Sequence, residues 1–244
     1  MKQGLFTIKE NCSLTDTVKR MKLVGDTSAI TVPGQFINIK LDGKYLRRPI
    51  SVCDRDDMSV TIIYKMVGKG TEQMGEMTDG TLDVLTGLGN GYDTSLSGEK
   101  PLLIGGGVGV PPLYMLAKQL IEQGKDVTVV LGFNTKTDVF YEEEFRALGA
   151  TVSVTTADGS YGIKGFVTDA MTNVDYTYFY TCGPEPMLRA VYKTTTTSGQ
   201  FSFEERMGCG FGACMGCSCK TITGYKRICK DGPVLQKEEI LWDA

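Results

Sequence analysis

The stretch "PLLIGGGVGVPPLYMLAKQLIEQG", Pro101 to Gly124, joins a short apolar run to a glycine cluster, and the cluster to a helical pattern. Leu102, Leu103 and Ile104 read as a buried strand. Leu113, Leu116, Ala117, Leu120 and Ile121 recur at the spacing of one helix face. Pro111 or Pro112 suits the first helical turn. Gly105, Gly107 and Gly109 fall between strand and helix, where glycine lets a nucleotide phosphate approach the backbone and the helix N-terminus. Position 110 is Val, so the full G-x-G-x-x-G is not met, and a tight strand-to-helix turn would call for the same glycines.

Downstream the alternation continues. "DVTVVLGF" (126–133), "TVSVTT" (151–156) and "DYTYFYTCG" (175–183) read as strands; "YEEEFRALG" (141–149) and "PEPMLRAVYK" (184–193) read as helices. Strands alternating with helices imply a parallel, two-layered α/β domain. "YTCGPEPML" (180–188) is a second strand end with glycine, at Cys182 and Gly183. Two such ends in one parallel sheet open a crevice at the strand C-termini where a dinucleotide lies. Cys182 either meets a nicotinamide there or fills space, and Gly183 also reads as a helix stop. "TTTTSGQ" (194–200) reads as a linker.

Upstream of Pro101 the pattern is short strands, "PGQFINIKL" (33–41), "RRPISVC" (47–53) and "SVTIIYKMV" (59–67), separated by polar and glycine clusters. In the last, Val60, Ile62, Tyr64 and Met66 alternate with Thr61, Ile63 and Lys65, so both faces are largely covered, as in a small antiparallel barrel. Pro49 inside its strand suggests an edge or a bulge. Arg47 and Arg48 beside it could clamp a pyrophosphate, or could be a solvated strand end. "VGKGT" (67–71) places Gly68, Gly70 and Thr71 at the start of a helix, an anion site.

Five of the eight cysteines lie in the last region. Cys209, Cys214 and Cys217 have the spacing C-x4-C-x2-C, and Cys229 follows after eleven residues. That is the plant-ferredoxin spacing of a [2Fe–2S] cluster. Glycines let the backbone wrap such a cluster and aim N–H groups at its sulfurs. A structural zinc favours two separate C-x2-C pairs, and only Cys214 and Cys217 form a clean one. Cys219 could replace Cys217, but only Cys217 keeps the ferredoxin spacing. The chain has no histidine, which excludes His-ligated metals and His-dependent triads; redox chemistry then falls to bound cofactors. The net charge of −3, with no basic run, gives no reason to expect nucleic acid or an anionic membrane as partner. "MKQGLFTIKENCS" at the N-terminus lacks a signal-peptide core, and no apolar run reaches spanning length, so the expected compartment is the cytoplasm.

"RRPIS", "VGKGT", "GGGVGVPPL", "CGPEPML" and the cysteine loop, in this order, resemble the ferredoxin-reductase superfamily. "DGSYGIKGFVTD" (158–169) and "CKDGPV" (229–234) make the likeness closest to the electron-transfer subunits of class 1B dihydroorotate dehydrogenases. The resemblance covers nearly the whole chain. It implies an α+β multi-domain fold: an FAD-binding antiparallel β-barrel over 1–97, an NAD-binding α/β parallel-sheet domain over 98–199, and a [2Fe–2S] module over 200–244. By position it implies that Arg48, Pro49, Ile50 and Ser51 contact FAD, that Ile63, Tyr64 and Lys65 line the flavin or its phosphates, and that Gly70 and Thr71 hold the pyrophosphate. Cys209, Cys214, Cys217 and Cys229 would ligate the cluster. Many members of the superfamily have Tyr where this chain has Ile50, so aromatic stacking on the flavin does not come from that position. "LGFNTKTDVFYEEEF" (131–145) has Lys136 but no arginine, and several acids, which favours NAD over NADP.

The implied function is electron transfer. Nicotinamide exchanges two electrons at once and an iron–sulfur cluster one, so a flavin must stand between them. The implied partner is an FMN-bearing subunit that oxidises dihydroorotate to orotate in pyrimidine biosynthesis, in a heterotetramer of two copies of each chain. Two alternatives share parts of the pattern: an NAD(P)H–ferredoxin or sulfide dehydrogenase-type flavin and iron–sulfur subunit, and a zinc-stabilised nucleotide-binding regulator without redox turnover.

Overall fold

The structure, a computed structural model, describes residues 1–242. Strands β1 (Lys2–Ser13), β2 (Val18–Val24), β3 (Phe36–Ile39), β4 (Arg48–Arg55) and β5 (Ser59–Lys65), then helix α1 (Lys69–Glu76) and β6 (Thr81–Leu88), build an antiparallel barrel in the order β1-β2-β5-β4-β3-β6. Alternate residues fill it: Phe6, Ile8, Met21, Leu23, Ile37, Ile39, Val60, Ile62, Tyr64, Leu82 and Val84 are buried in one cluster. β1 left little trace in the sequence because only Phe6 and Ile8 of its twelve residues are buried; one buried pair is too short a period to read.

The chain continues with β7 (Pro101–Gly106), α2 (Pro112–Glu122), β8 (Thr128–Phe133), α3 (Glu142–Ala147), β9 (Thr151–Thr156), β10 (Ile163–Lys164), α4 (Val167–Met171), β11 (Tyr178–Cys182), α5 (Glu185–Thr194) and β12 (Gly199–Ser202). The cysteine region adds a hairpin, β13 (Ser218–Thr221) and β14 (Gly224–Arg227), then α6 (Ile228–Asp231) and β15 (Val234–Gln236). The second sheet has the order β10-β9-β8-β7-β11-β12-β15, parallel except for β15.

Two expectations are corrected. The α/β domain has helices on both faces of its sheet. Leu103 of β7 packs with Leu113, Leu116 and Phe145 of α2 and α3, whereas Leu102 and Ile104 pack with Val167, Leu188 and Val191 of α4 and α5. Strands buried on both faces need two helix layers, and the domain has three layers in all. The stretch 194–200 is not a linker. It ends α5 and starts β12, whose Phe201 is fully buried against Phe179. Its four threonines gave no apolar run, yet the strand follows directly. The sheet therefore continues across residue 200 and takes β15 from the C-terminal region.

Barrel and sheet share a core. Val18, Cys53 and Ile63 of the barrel are buried in the same cluster as Leu113, Leu116 and Leu120 of α2. Each buried leucine there contributes about 1.5–3 kcal/mol. The interface is packed as an interior.

Candidate functional site

The barrel ladder is incomplete at one place. β4 pairs β3 from Arg48 to Ser51 but pairs β5 only from Val52 onward. Across the gap, Ile63, Tyr64 and Lys65 of β5 pair only with β2. The two facing edges carry backbone N–H and C=O groups without ladder partners, a slot that a polar ligand can satisfy. Pro49 lies in this stretch, where its missing N–H costs no ladder bond. The sequence-predicted residues Arg48–Ser51 and Ile63–Lys65 are its two edges.

Gly70 and Thr71 close one end of the slot. The Arg48 guanidinium lies on Gly70, where a Cβ would stand 2.1 Å from its Nε. The Thr71 hydroxyl accepts the N–H of Val67 at 2.9 Å and of Gly68 at 3.3 Å, and donates to the Gly68 carbonyl at 3.1 Å, fixing the turn into α1. A guanidinium against the first turn of a helix is an arrangement that binds phosphate. Arg47 is committed elsewhere: it pairs with Asp83 at 3.0 Å and donates to the carbonyls of Asn38 and Asp83. The Tyr64 side chain points into the barrel and donates to Asn11 Oδ1 at 3.0 Å, with its phenol pushed up to about 12 by burial. Tyr64 thus offers the slot its backbone. Ile63 packs toward α2, and Lys65 is exposed.

The second site is at the C-terminal ends of β7 and β11. From β7 the sheet runs to β8, β9 and β10 on one side and to β11 and β12 on the other, so this is the switch point where such sheets open a crevice. Gly105 and Cys182 are register partners there. A Cβ on Gly109 would stand 2.3 Å from the Cys182 carbonyl oxygen, and one on Gly183 2.5 Å from Met187 Cε. Gly107 has open space but a φ of +52°. Burial pushes the Cys182 thiol up to about 12, while a hydrogen bond with Ser202 opposes the shift, so the thiol is neutral. Ser202 and Tyr92, which donates to the Thr181 carbonyl at 3.3 Å, border the crevice. Sequence reading missed both, though the Gly-Asn-Gly before Tyr92 marks a turn.

The cysteine loop lies against the barrel, in a cluster with Phe36, Leu85, Leu88 and Leu235. Its thiols form two pairs. The Cys209 N–H points at Cys214 Sγ at 3.4 Å, and the Ala213 N–H at Cys209 Sγ at 3.2 Å. The Cys229 N–H points at Cys217 Sγ at 3.4 Å. Burial alone would raise the Cys209 thiol, but N–H groups of Phe211, Cys214 and Ala213 outweigh it and pull it down to about 6. Burial pushes Cys229 up, to about 12. Among the described residues no three Cys, Asp or Glu side chains converge on one ion position. Two thiol pairs with N–H groups aimed at sulfur fit a two-iron cluster better than a single zinc. Cys219 sits on β13 opposite Lys226, half-buried, with its thiol raised by burial.

An antiparallel barrel with an open slot, a parallel sheet with a glycine-lined switch point and a four-thiol loop define a ferredoxin-reductase-like electron-transfer protein. Residues 204–241 match the family model of the iron–sulfur cluster binding domain of dihydroorotate dehydrogenase B, and residues 103–193 that of the oxidoreductase NAD-binding domain. The dihydroorotate dehydrogenase B (NAD(+)) electron transfer subunit of Fusobacterium nucleatum is 45% identical over 96% of each chain, and that of Bacillus pumilus 44% over 98% of each. The solved structure of an NADH-dependent reduced ferredoxin-NADP oxidoreductase matches with a TM-score of 0.88 and 31% identity, over 98% of this chain and 91% of that one. A ferredoxin NADP+ reductase from Neisseria gonorrhoeae shares the fold, at a TM-score of 0.69 and 16% identity over 80% of this chain and 90% of that one. The chain belongs to the family of dihydroorotate dehydrogenase B (NAD(+)) electron transfer subunits. It is the electron-transfer subunit of an oxidoreductase of pyrimidine biosynthesis, uses FAD, a [2Fe–2S] cluster and NAD, and works with a catalytic partner subunit. No helix among the described residues is long and apolar enough to cross a membrane.

Proposed function

We propose that this chain carries electrons from an FMN-bearing subunit, which oxidises dihydroorotate to orotate, to NAD+, in a cytoplasmic assembly of two copies of each chain. The observation that carries the reading is the position of β4. One side of the barrel at β4 and β5 packs on α2 beside the glycine crevice, through Cys53 and Ile63. On the other side Asn38, register partner of Pro49, bonds the Cys209 carbonyl. The slot thus lies between the crevice and the thiol loop, the order that two-electron to one-electron transfer requires.

Arg48–Ser51 and Ile63–Lys65 are the edges against which FAD lies. Arg48, with the amides at Gly70 and Thr71, neutralises its pyrophosphate, and Ile50 offers an aliphatic surface where an aromatic ring could stand. Gly105, Gly107 and Gly109 admit the NAD phosphates, and Cys182 and Gly183 border the nicotinamide end. The neutral Cys182 thiol keeps that end free of a competing charge. Cys209, Cys214, Cys217 and Cys229 hold the cluster, with the N–H groups of Cys209, Ala213 and Cys229 aimed at the sulfurs of Cys214, Cys209 and Cys217. When bound, the flavin exchanges a hydride with nicotinamide and single electrons with the cluster. The units are 1–97, 98–199 and 200–244, the last joined to the second through β12 and β15. The exposed side chains of Phe211 and Met215 beside the ligands are the surface offered to the partner.

A second reading, transfer between NAD(P)H and ferredoxin, rests on the 31% identity with the NADH-dependent reduced ferredoxin-NADP oxidoreductase. The test uses the purified chain. It should hold FAD and iron and pass electrons from NADH to artificial acceptors. It should reduce NAD+ with dihydroorotate only after the FMN-bearing subunit is added. Turnover of dihydroorotate by the chain alone would overturn the division of labour, and a preference for NADPH would favour the second reading.

A further inference from the structure

Two asparagines of the barrel segment hold both ends of the cysteine loop. Asn38, on β3, is 1% exposed. Its Nδ2 donates to the carbonyl of Cys209, the first ligand of the loop, at 3.1 Å. Gly210 has a φ of +77°, and a Cβ there would stand 2.3 Å from the same Nδ2, so the glycine is what lets the amide reach the peptide after Cys209. The Asn38 carbonyl is itself fixed by Arg47 Nη1 at 3.2 Å. Its Oδ1 is buried and accepts no bond among the described residues. A residue present for packing alone would not bury an uncompensated acceptor.

Asn90 holds the other end. Its backbone N–H donates to the Gly232 carbonyl at 2.7 Å, its Nδ2 donates to the Val234 carbonyl at 2.7 Å, and its Oδ1 accepts the Val234 N–H at 3.1 Å. The side-chain amide thus meets Val234 as a strand neighbour would, just beyond the fourth ligand, Cys229. Beside it, Gly89 has a φ of +79°, and a Cβ there would stand 2.6 Å from Pro233 Cδ. Asn38 is the register partner of Pro49 at the slot, and Asn90 follows β6, which pairs β3. The loop between these two points is anchored elsewhere, through Lys226 and Glu239 at 2.6 Å and the bridge of Thr221 with Ile240.

We propose that Asn38 and Asn90 are positioning residues that mount the cluster on the flavin barrel, with Asn38 setting the environment of the Cys209 ligand. The inference rests on the assignment of slot and ligands above. It is tested on the full chain loaded with FAD and iron, by iron and flavin content, by the electron paramagnetic resonance spectrum and midpoint potential of the reduced cluster, and by stopped-flow reduction with NADH. Asn38→Leu should keep FAD and the rate of flavin reduction. It should shift the cluster spectrum and potential, and slow the arrival of electrons at the cluster by about tenfold, the effect expected of an outer-sphere partner. Asn90→Ala should change the same readouts in the same direction and less, because it holds the chain beyond a ligand and not a ligand's own peptide. Asn90 is exposed, so that variant decides the matter if Asn38→Leu does not fold. Variants with wild-type spectrum, potential and electron arrival would overturn the inference. A wild-type protein without a [2Fe–2S] cluster would instead overturn the functional reading beneath it.

Discussion

In the glycine loop of residues 105–109, a Cβ on Gly109 would stand 2.3 Å from a backbone oxygen, that of Cys182. In the cysteine loop of residues 208–216, a Cβ on Gly212 would stand 2.6 Å from Lys230 Cδ and 3.0 Å from its Cβ, and Gly212 has a φ of +93°. The first glycine is required by contact between two backbones, neither of which can move without the sheet. The second is required by the turn, and its crowding comes from a side chain and not from a backbone. At the crevice glycine removes volume so that two strand ends meet; in the cysteine loop it mainly permits left-handed turns that bring sulfurs and N–H groups together. The glycine crevice is therefore fixed by packing, and the cysteine loop by local chain conformation and the bonds that tether it.

The largest effect should come from the sulfurs. Replacing Cys209, Cys214, Cys217 or Cys229 singly by Ser should remove the cluster and leave FAD bound, whereas Cys219→Ser should keep the iron. Iron and flavin assays on each purified variant decide this. Iron lost from Cys219→Ser and kept in Cys217→Ser would exchange their roles. Next comes Gly109→Ala, which should cost roughly 1–3 kcal/mol by overpacking and abolish reduction by NADH while FAD remains. Thermal unfolding and NADH kinetics read the two parts, and wild-type stability would show that the strand ends are not in contact as described. The smallest is Gly107→Ala, where a Cβ meets nothing and only the φ of +52° is strained, at about 1 kcal/mol. A greater loss there than at Gly109 would reverse the comparison.

The sequence made the α/β domain legible because β7, β8 and β11 are buried on both faces and read as apolar runs beside glycine, and β9 alternates Val152 and Val154 with polar residues. It made the iron–sulfur region legible because the cysteine spacing is local. The slot was legible as a set of residues but not as a gap, since a missing ladder between β4 and β5 depends on register across the barrel, which residue types do not carry. Tyr64 shows the limit: residue type did not reveal that its ring fills the barrel and its hydroxyl donates to Asn11, so that it meets the slot through its backbone. β12 and β15 were hidden for another reason. Their pairing joins residues on either side of the cysteine region, and Gly199–Ser202 has a single large apolar residue, Phe201.

That pairing has a consequence for solubility. Without β15, strand β12 would end the sheet with a row of unpaired N–H and C=O groups, a template on which another chain can add. β15 covers it, and is itself three residues long and followed by Lys237, whose ammonium is held by the carbonyls of Thr195 and Thr197. A strand that short, ending in a tethered lysine, offers little length for a further strand to join. The same return of the chain that brings the cysteine loop back to the sheet thus guards the sheet's open side against self-association.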